Sequence, residues 1–231
     1  MQWTDPKSGE VSSGYRESGY LPEAVINMLA LLGWNPGNDQ ELMSLQELID
    51  AFSIEKISKA GAKFSLDKAK WFNHEYIQMK SADELYPYFE KILEKKQISC
   101  NADYVKNVID LIKDRLNFIN DFWEQACYFF EAPTEYDPQA LKKRWKEGTG
   151  AHLRVIDGML MSFQPFDRQK AQDTVMQYIQ DNGLNMGQIL NSVRIALVGT
   201  ARGPELFTMI ELMGTEETHR RIQRSIEVVN L

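Results

Sequence analysis

Residues 15–34 read YRESGYLPEAVINMLALLGW. Pro22 stands where a first helical residue tolerates proline, because its missing N–H would have no intrahelical acceptor. Gly33 stands where a helix commonly stops. Between them Leu21, Val25, Met28, Leu29 and Leu32 recur at helical spacing and predict one buried stripe. The stretch therefore predicts a three-turn helix packed on a core. It begins only a few residues into the chain and reads like the continuation of something rather than its opening.

The same punctuation recurs along the 231 residues. SLQE at 44–47 and SADE at 81–84 have the spacing of a capping box, in which a serine and a glutamate satisfy each other's backbone N–H. Ser65 predicts another helix start, and Asp137-Pro138 predicts a cap followed by a first-position proline. Pro87 falls early in its helix. GPELFTMIELMG predicts a helix that Pro204 enters and Gly214 leaves. Val105, Val108, Ile109 and Ile112 make one further stripe, and Ile189, Val193, Ala196 and Leu197 another. No alternating run exceeds a few positions except AKFSL at 62–66. The fold class implied is all-α, with about ten to twelve helices; residues 1–20 read as irregular or a short hairpin. A division is expected within 146–166, where glycines and a proline separate helical blocks, and a fainter one near 78–82.

The composition, 43% hydrophobic and 26% charged, is that of a globular protein. No apolar run reaches the roughly 18 residues of a membrane span, and no export signal is visible, so a cytoplasmic setting is expected. Cys100 and Cys127 have neither metal-ligand nor redox spacing and read as buried apolar residues. His74, His152 and His219 are far apart, with no carboxylate or cysteine at ligand spacing, so structural roles are expected and no metal. Glu216 and Glu217 read as first-turn residues complementing a helix dipole. No glycine pattern cradles a nucleotide and no catalytic trio is apparent; the chain reads as non-catalytic by itself.

The net charge of −7 argues mildly against nucleic acid, yet one basic face can coexist with an acidic remainder. Three places attract attention. SVRIALVGTARGPELF sets Arg194 on a helix broken at Gly199 and Gly203 and restarted at Pro204. Arg115 stands among apolar and acidic neighbours. KKRWK, residues 142–146, is a compact basic turn around an aromatic, suited to phosphate contact by Lys142, Lys143, Arg144 and Lys146 and to base stacking.

The run at 15–34, the continuation FSIEKISKAGAKFSLDKAKWFNHEYI at 52–77 and the tail VRIALVGTARGPELFTMIELMG at 193–214 together resemble bacterial glutamyl-tRNA synthetases of class I. KISKAG, 56–61, is similar to a KMSKS-type ATP loop, but in its surroundings reads better as a polar turn of the stem-contact region. The resemblance covers essentially the whole chain and implies the C-terminal half of such an enzyme, with no match to the glutamate pocket or the HIGH-type motif. It implies a stem-contact region at 1–78 and two helical anticodon-binding subdomains at 79–155 and 156–231. It implies that the parent joins glutamate to tRNA(Glu) using ATP and Mg2+, while this half holds tRNA and neither DNA nor a membrane. Its partners would be tRNA(Glu) and the missing N-terminal catalytic domain. Carried onto this sequence, Arg115 would read the last anticodon base. Arg194 would hydrogen-bond another base edge, packed on Pro204 and Leu206, with Gly203 where a small polar residue can stand. The alternative is a freestanding helical interaction module descended from a synthetase.

Overall fold

The structure, a computed structural model, describes residues 2–4, 6, 11–58 and 63–229. They form twelve α-helices and a two-stranded antiparallel hairpin of β1 (Gln2–Thr4) and β2 (Val11–Ser13). The chain divides into two compact units, Met1–Gln125 and Ala126–Leu231. The stretch 146–166 holds α8 (Thr149–Met161), which lies in the second unit.

In the first unit α1 (Pro22–Gly33) packs on α2 (Leu45–Ala51) and α3 (Leu66–Met79), and α4 (Ala82–Lys95) on α5 (Ala102–Ile112). The caps form where local rules place them. Ser44 and Ser81 each accept from the backbone N–H three residues on and receive the returning glutamate, and Ser65 caps α3. Pro87 sits in the second turn of α4. The α5 stripe, Val105, Val108, Ile109 and Ile112, is buried, and Phe89 stacks on Phe122 at 3.9 Å between centroids.

The α1 stripe differs from expectation. α1 buries Ala24, Asn27 and Met28, while Leu29 is 53% exposed. The reason is polar: Asn27 Oδ1 accepts the Met43 N–H at 2.9 Å and the Tyr76 hydroxyl at 2.8 Å, which turns that side of the helix inward. Asn73 is a second buried amide. Its Oδ1 accepts the Leu21 N–H at 2.7 Å, and its Nδ2 donates to Asn117 O at 2.5 Å and Gly19 O at 3.4 Å. This is the asparagine of the WFN string, and it ties the 15–21 turn and residue 117 to α3. Gly19 itself has φ +88°, and a Cβ there would meet Asn120 N at 3.0 Å.

In the second unit α10 (Met186–Val198) is the central helix, packed against α7 (Pro138–Arg144), α8, α9 (Arg168–Asp181) and α12 (Thr215–Val229). It buries residues on nearly all sides, Ile189, Val193, Ala196 and Leu197 among them, as a helix surrounded by helices must. The dividing point between the units falls inside α6 (Phe122–Phe130).

Neither cysteine is buried. Cys100 is exposed in the link between α4 and α5, and Cys127 is half-buried on α6. Partial desolvation pushes the Cys100 thiol above its ordinary pKa. Of KISKAG, residues 59–61 lie outside the described residues, as does Ala62 of AKFSL; Lys63, Phe64 and Ser65 of AKFSL are irregular and Leu66 opens α3.

Candidate nucleic-acid interface

The second unit gathers two of the three places that the sequence singles out. Asp137 caps α7 by accepting from Gln139 N and Ala140 N, with Pro138 in the first position. α7 runs antiparallel to α10: the Asp137 N–H donates to Gly199 O at 2.8 Å, while Ser192 Oγ donates to Arg144 O at 3.1 Å near the other end. Lys142, Lys143 and Arg144 are therefore the last turn of a helix, and Trp145 its C-cap, rather than a free loop. Three cations there complement the negative end of the helix dipole, which is reason enough for a folded protein to carry them. Lys142, Lys143 and Lys146 are exposed. Lys146 Nζ donates to Lys142 O at 2.5 Å, and Arg144 Nη1 lies 3.5 Å from Gly187 O.

At the other end of the pair, α10 stops at Gly199, whose φ of +80° belongs to the left-handed region. Arg194 Nη1 donates to Pro204 O, so the guanidinium bridges from α10 to the kink that follows. Gly203 makes this possible, because a Cβ there would sit 3.0 Å from Arg194 Nη1.

Pro204 does not open the next helix. α11 (Leu206–Met213) begins two residues later, capped by Glu205, whose carboxylate accepts from Phe207 N at 3.0 Å and Thr208 N at 2.6 Å. Those hydrogen bonds hold the Glu205 carboxyl below the ordinary range, against the burial that would raise it. Pro204 is buried and Leu206 is 4% exposed, so neither offers a surface open to solvent. The exposed residues of the kink are Thr200, Arg202 and Glu205. Thr200 Oγ1 accepts the Arg202 N–H at 3.2 Å and lies 3.1 Å from Arg202 O, making a small turn at whose edge Arg202 stands. Arg202 is a candidate that sequence reasoning missed, although its place between Ala201 and Gly203 is a visible signal.

Arg115 belongs to the first unit. It lies in the 3₁₀ turn Lys113–Arg115 that ends α5, not on a regular helix, and its Nε donates to Gln125 Oε1 at 3.2 Å.

The kink is held from behind by Arg221, only 4% exposed. Its Nη1 donates to Leu197 O at 2.8 Å and Tyr128 O at 2.7 Å, two helix-end carbonyls, and its Nε to Glu217. Arg220 chelates the same carboxylate through two bonds of 2.7 Å. His219 Nδ1 lies 2.8 Å from Asp157 Oδ2, a buried carboxylate 62 positions away that local spacing could not reveal. His74 and His152 meet Leu116 O and the Tyr178 hydroxyl. Among the described residues no three ligating side chains converge on a metal position, and no helix is long and apolar enough to cross a membrane.

The second unit is thus a helical array with three cations in the last turn of α7 and an arginine held at a glycine kink, and the comparisons with known proteins give its class. The family model described as the anticodon binding domain matches residues 80–226, well over half of the chain, and the chain belongs to that family; the catalytic domain of class I tRNA synthetases (E and Q) matches residues 7–71. The chain is similar to the glutamate–tRNA ligases of Phocaeicola vulgatus (52% identical) and Porphyromonas gingivalis (51%), over 99% of its own length. It spans 45% of the length of each. Among solved structures, a glutamate tRNA ligase from Elizabethkingia meningosepticum in complex with its amino acid is 37% identical, with a TM-score of 0.90 over 99% of this chain and 45% of that one.

Proposed function

We propose that this chain is the tRNA-holding half of a glutamate–tRNA ligase, and that its second unit takes unstacked anticodon bases against the Gly199–Leu206 kink. The observation that carries the reading is Arg194, pinned by Pro204 O over a residue without a side chain. A guanidinium whose plane is set before binding loses less freedom on hydrogen-bonding a base edge. Pro204 and Leu206 would pack against the base, which requires the buried kink to open toward it. Lys142, Lys143, Arg144 and Lys146 contact phosphates, and Arg115 in the first unit reads the last anticodon base. In this reading residues 1–78 meet the inner corner of the tRNA, and 79–155 and 156–231 serve as two anticodon-binding subdomains. The parent's reaction joins glutamate to tRNA(Glu) with ATP and Mg2+ in the cytoplasm, using a catalytic domain that is the chain's other partner.

The test is a salt titration of binding to tRNA(Glu) and to a non-cognate tRNA. Cognate preference, with affinity falling as salt rises, is the expected result. Arg194→Ala weakens the cognate complex by about 1–3 kcal/mol, with circular dichroism unchanged. Lys143→Ala lowers both affinities alike and flattens the salt slope by about one. Equal affinity of Arg194→Ala and the unmodified chain refutes the assignment of the kink.

A further inference from the structure

Arg115 is the anticodon-reading candidate of the first unit, and its surroundings hold it still. Its backbone lies between Ile112 and Leu116, both fully buried. Gln78 Nε2 donates to Lys113 O at 2.7 Å, His74 Nδ1 meets Leu116 O at 2.7 Å, and Lys113 Nζ donates to Lys80 O at 3.1 Å. On the other side the Asp121 carboxylate accepts the N–H groups of Asn117 and Phe118 at 3.0 and 2.9 Å. The turn that carries Arg115 is thus fastened to α3 before it and to the Ile119–Asp121 turn after it.

The side chain is anchored as well, at one atom. Arg115 Nε donates to Gln125 Oε1 at 3.2 Å, reaching from the end of α5 to α6. A guanidinium is planar, so an anchored Nε–H restricts where both terminal nitrogens lie. Those two, Nη1 and Nη2, make no hydrogen bond or ion pair among the described residues. Asp110, Asp114 and Glu124 are close in sequence, yet none forms an ion pair with this half-buried arginine.

The chemistry of the anchor decides what the arginine can do. A carboxylate at position 125 would hold Nε and cancel the charge together. An amide oxygen orients the cation without neutralising it, so the two-pronged end keeps both its direction and its charge for a ligand. Where this chain uses arginines to hold its own fold it pairs them with an acid, as Arg220 and Arg221 both meet Glu217. An unpaired base is read on its Watson–Crick edge. Two parallel N–H donors suit an edge with adjacent acceptors and reject guanine, whose edge presents N–H donors of its own.

We infer that Gln125 is a positioning residue: it aims the free Nη1–Nη2 edge of Arg115 at the last anticodon base and so sets how sharply that base is read. The inference rests on the proposed role of Arg115 and adds the residue on which its accuracy depends.

Binding is measured to a tRNA(Glu) transcript and to the same transcript with guanine as its last anticodon base. The ratio of the two affinities is the readout. Gln125→Met keeps the shape of the side chain and removes the acceptor, whereas Gln125→Glu keeps an acceptor oxygen; circular dichroism verifies each fold. Gln125→Met is expected to lower the ratio roughly tenfold and Gln125→Glu to retain most of it. Added to Arg115→Ala, Gln125→Met should change nothing further. An unchanged ratio in Gln125→Met overturns the inference, whether or not both affinities fall together. An equal loss in Gln125→Met and Gln125→Glu also overturns it, because the acceptor is then not what matters. Arg115→Ala separates the two claims. If it abolishes the preference while Gln125→Met leaves it intact, only the inference falls. If it leaves the preference intact, or the unmodified chain has none, the reading of Arg115 falls and the inference with it.

Discussion

Replacing Gly199 by alanine tests whether the end of α10 is built for close approach. Its φ is +80°, and a Cβ would come within 2.7 Å of Glu135 O and 3.2 Å of Pro133 Cβ. Two costs add. Left-handed backbone costs an L-residue about 1–2 kcal/mol. The contact with a backbone oxygen cannot be relieved by a rotamer change; residues 133–137 must move, and the Asp137 N–H is bonded to Gly199 O at 2.8 Å. Overpacking of that kind costs about 1–3 kcal/mol. The sum is about 2–5 kcal/mol. Gly183 is the internal control, with φ +60° and nothing within 4 Å of an added Cβ, so Gly183→Ala carries the backbone cost alone. Urea unfolding followed by circular dichroism, with a slope of about 2–3 kcal/mol per molar, should shift the midpoint by roughly 1–2 M for Gly199→Ala and well under that for Gly183→Ala. Equal shifts for the two variants refute the close-approach argument.

Three further outcomes follow from the packing and the charges. Phe89→Ala, which removes a fully buried ring stacked on Phe122, should cost about 3–5 kcal/mol in the same unfolding assay. Asn73→Ala orphans the Leu21 N–H and the Asn117 carbonyl at about 1–3 kcal/mol per group, while Gly19 O keeps the Ile119 N–H, and amide exchange at Leu21 should accelerate more than in the middle of α5. Hydrogen bonds from Arg220, aided by Arg221, hold the Glu217 carboxyl below its ordinary pKa despite partial burial. A folded-state pKa below the unfolded one gives stability that is present above the unfolded value and lost as pH falls through the folded one. The stability gap between the unmodified chain and Glu217→Gln should therefore be widest at neutral pH and close below about pH 4; a gap independent of pH contradicts the ion-pair account.

Local chemistry was the legible part of this fold. Ser44, Ser65, Ser81 and Asp137 act as caps because a cap depends on residues two or three positions away, and the stripe of α5 faces inward because periodicity alone decides it. The facing of α1 was not legible, since it depends on Asn27 meeting Met43 and Tyr76. The start of α11 shifted because Glu205 reached Phe207 and Thr208 while Pro204 bound Arg194 through its carbonyl. Of the candidate interface, the arginine and the basic turn were visible as residue types. Their arrangement along an antiparallel helix pair, and the buried Arg221 behind the kink, were not. The i, i+4 pairing of Glu217 with Arg221 was the one hint in the sequence.

Asn73 has a consequence for how the two matched segments are joined. It lies in the gap between the segment matching the catalytic domain, 7–71, and the segment matching the anticodon binding domain, 80–226. Its amide holds Leu21 from the first and Asn117 from the second, and Ile119 N donates to Gly19 O across the same seam at 3.1 Å. The joint between the two matched segments is therefore the interior of one compact unit. A chain severed between 71 and 80 would be cut through a core, and each piece would carry away half of a hydrogen-bonded knot that neither can close alone.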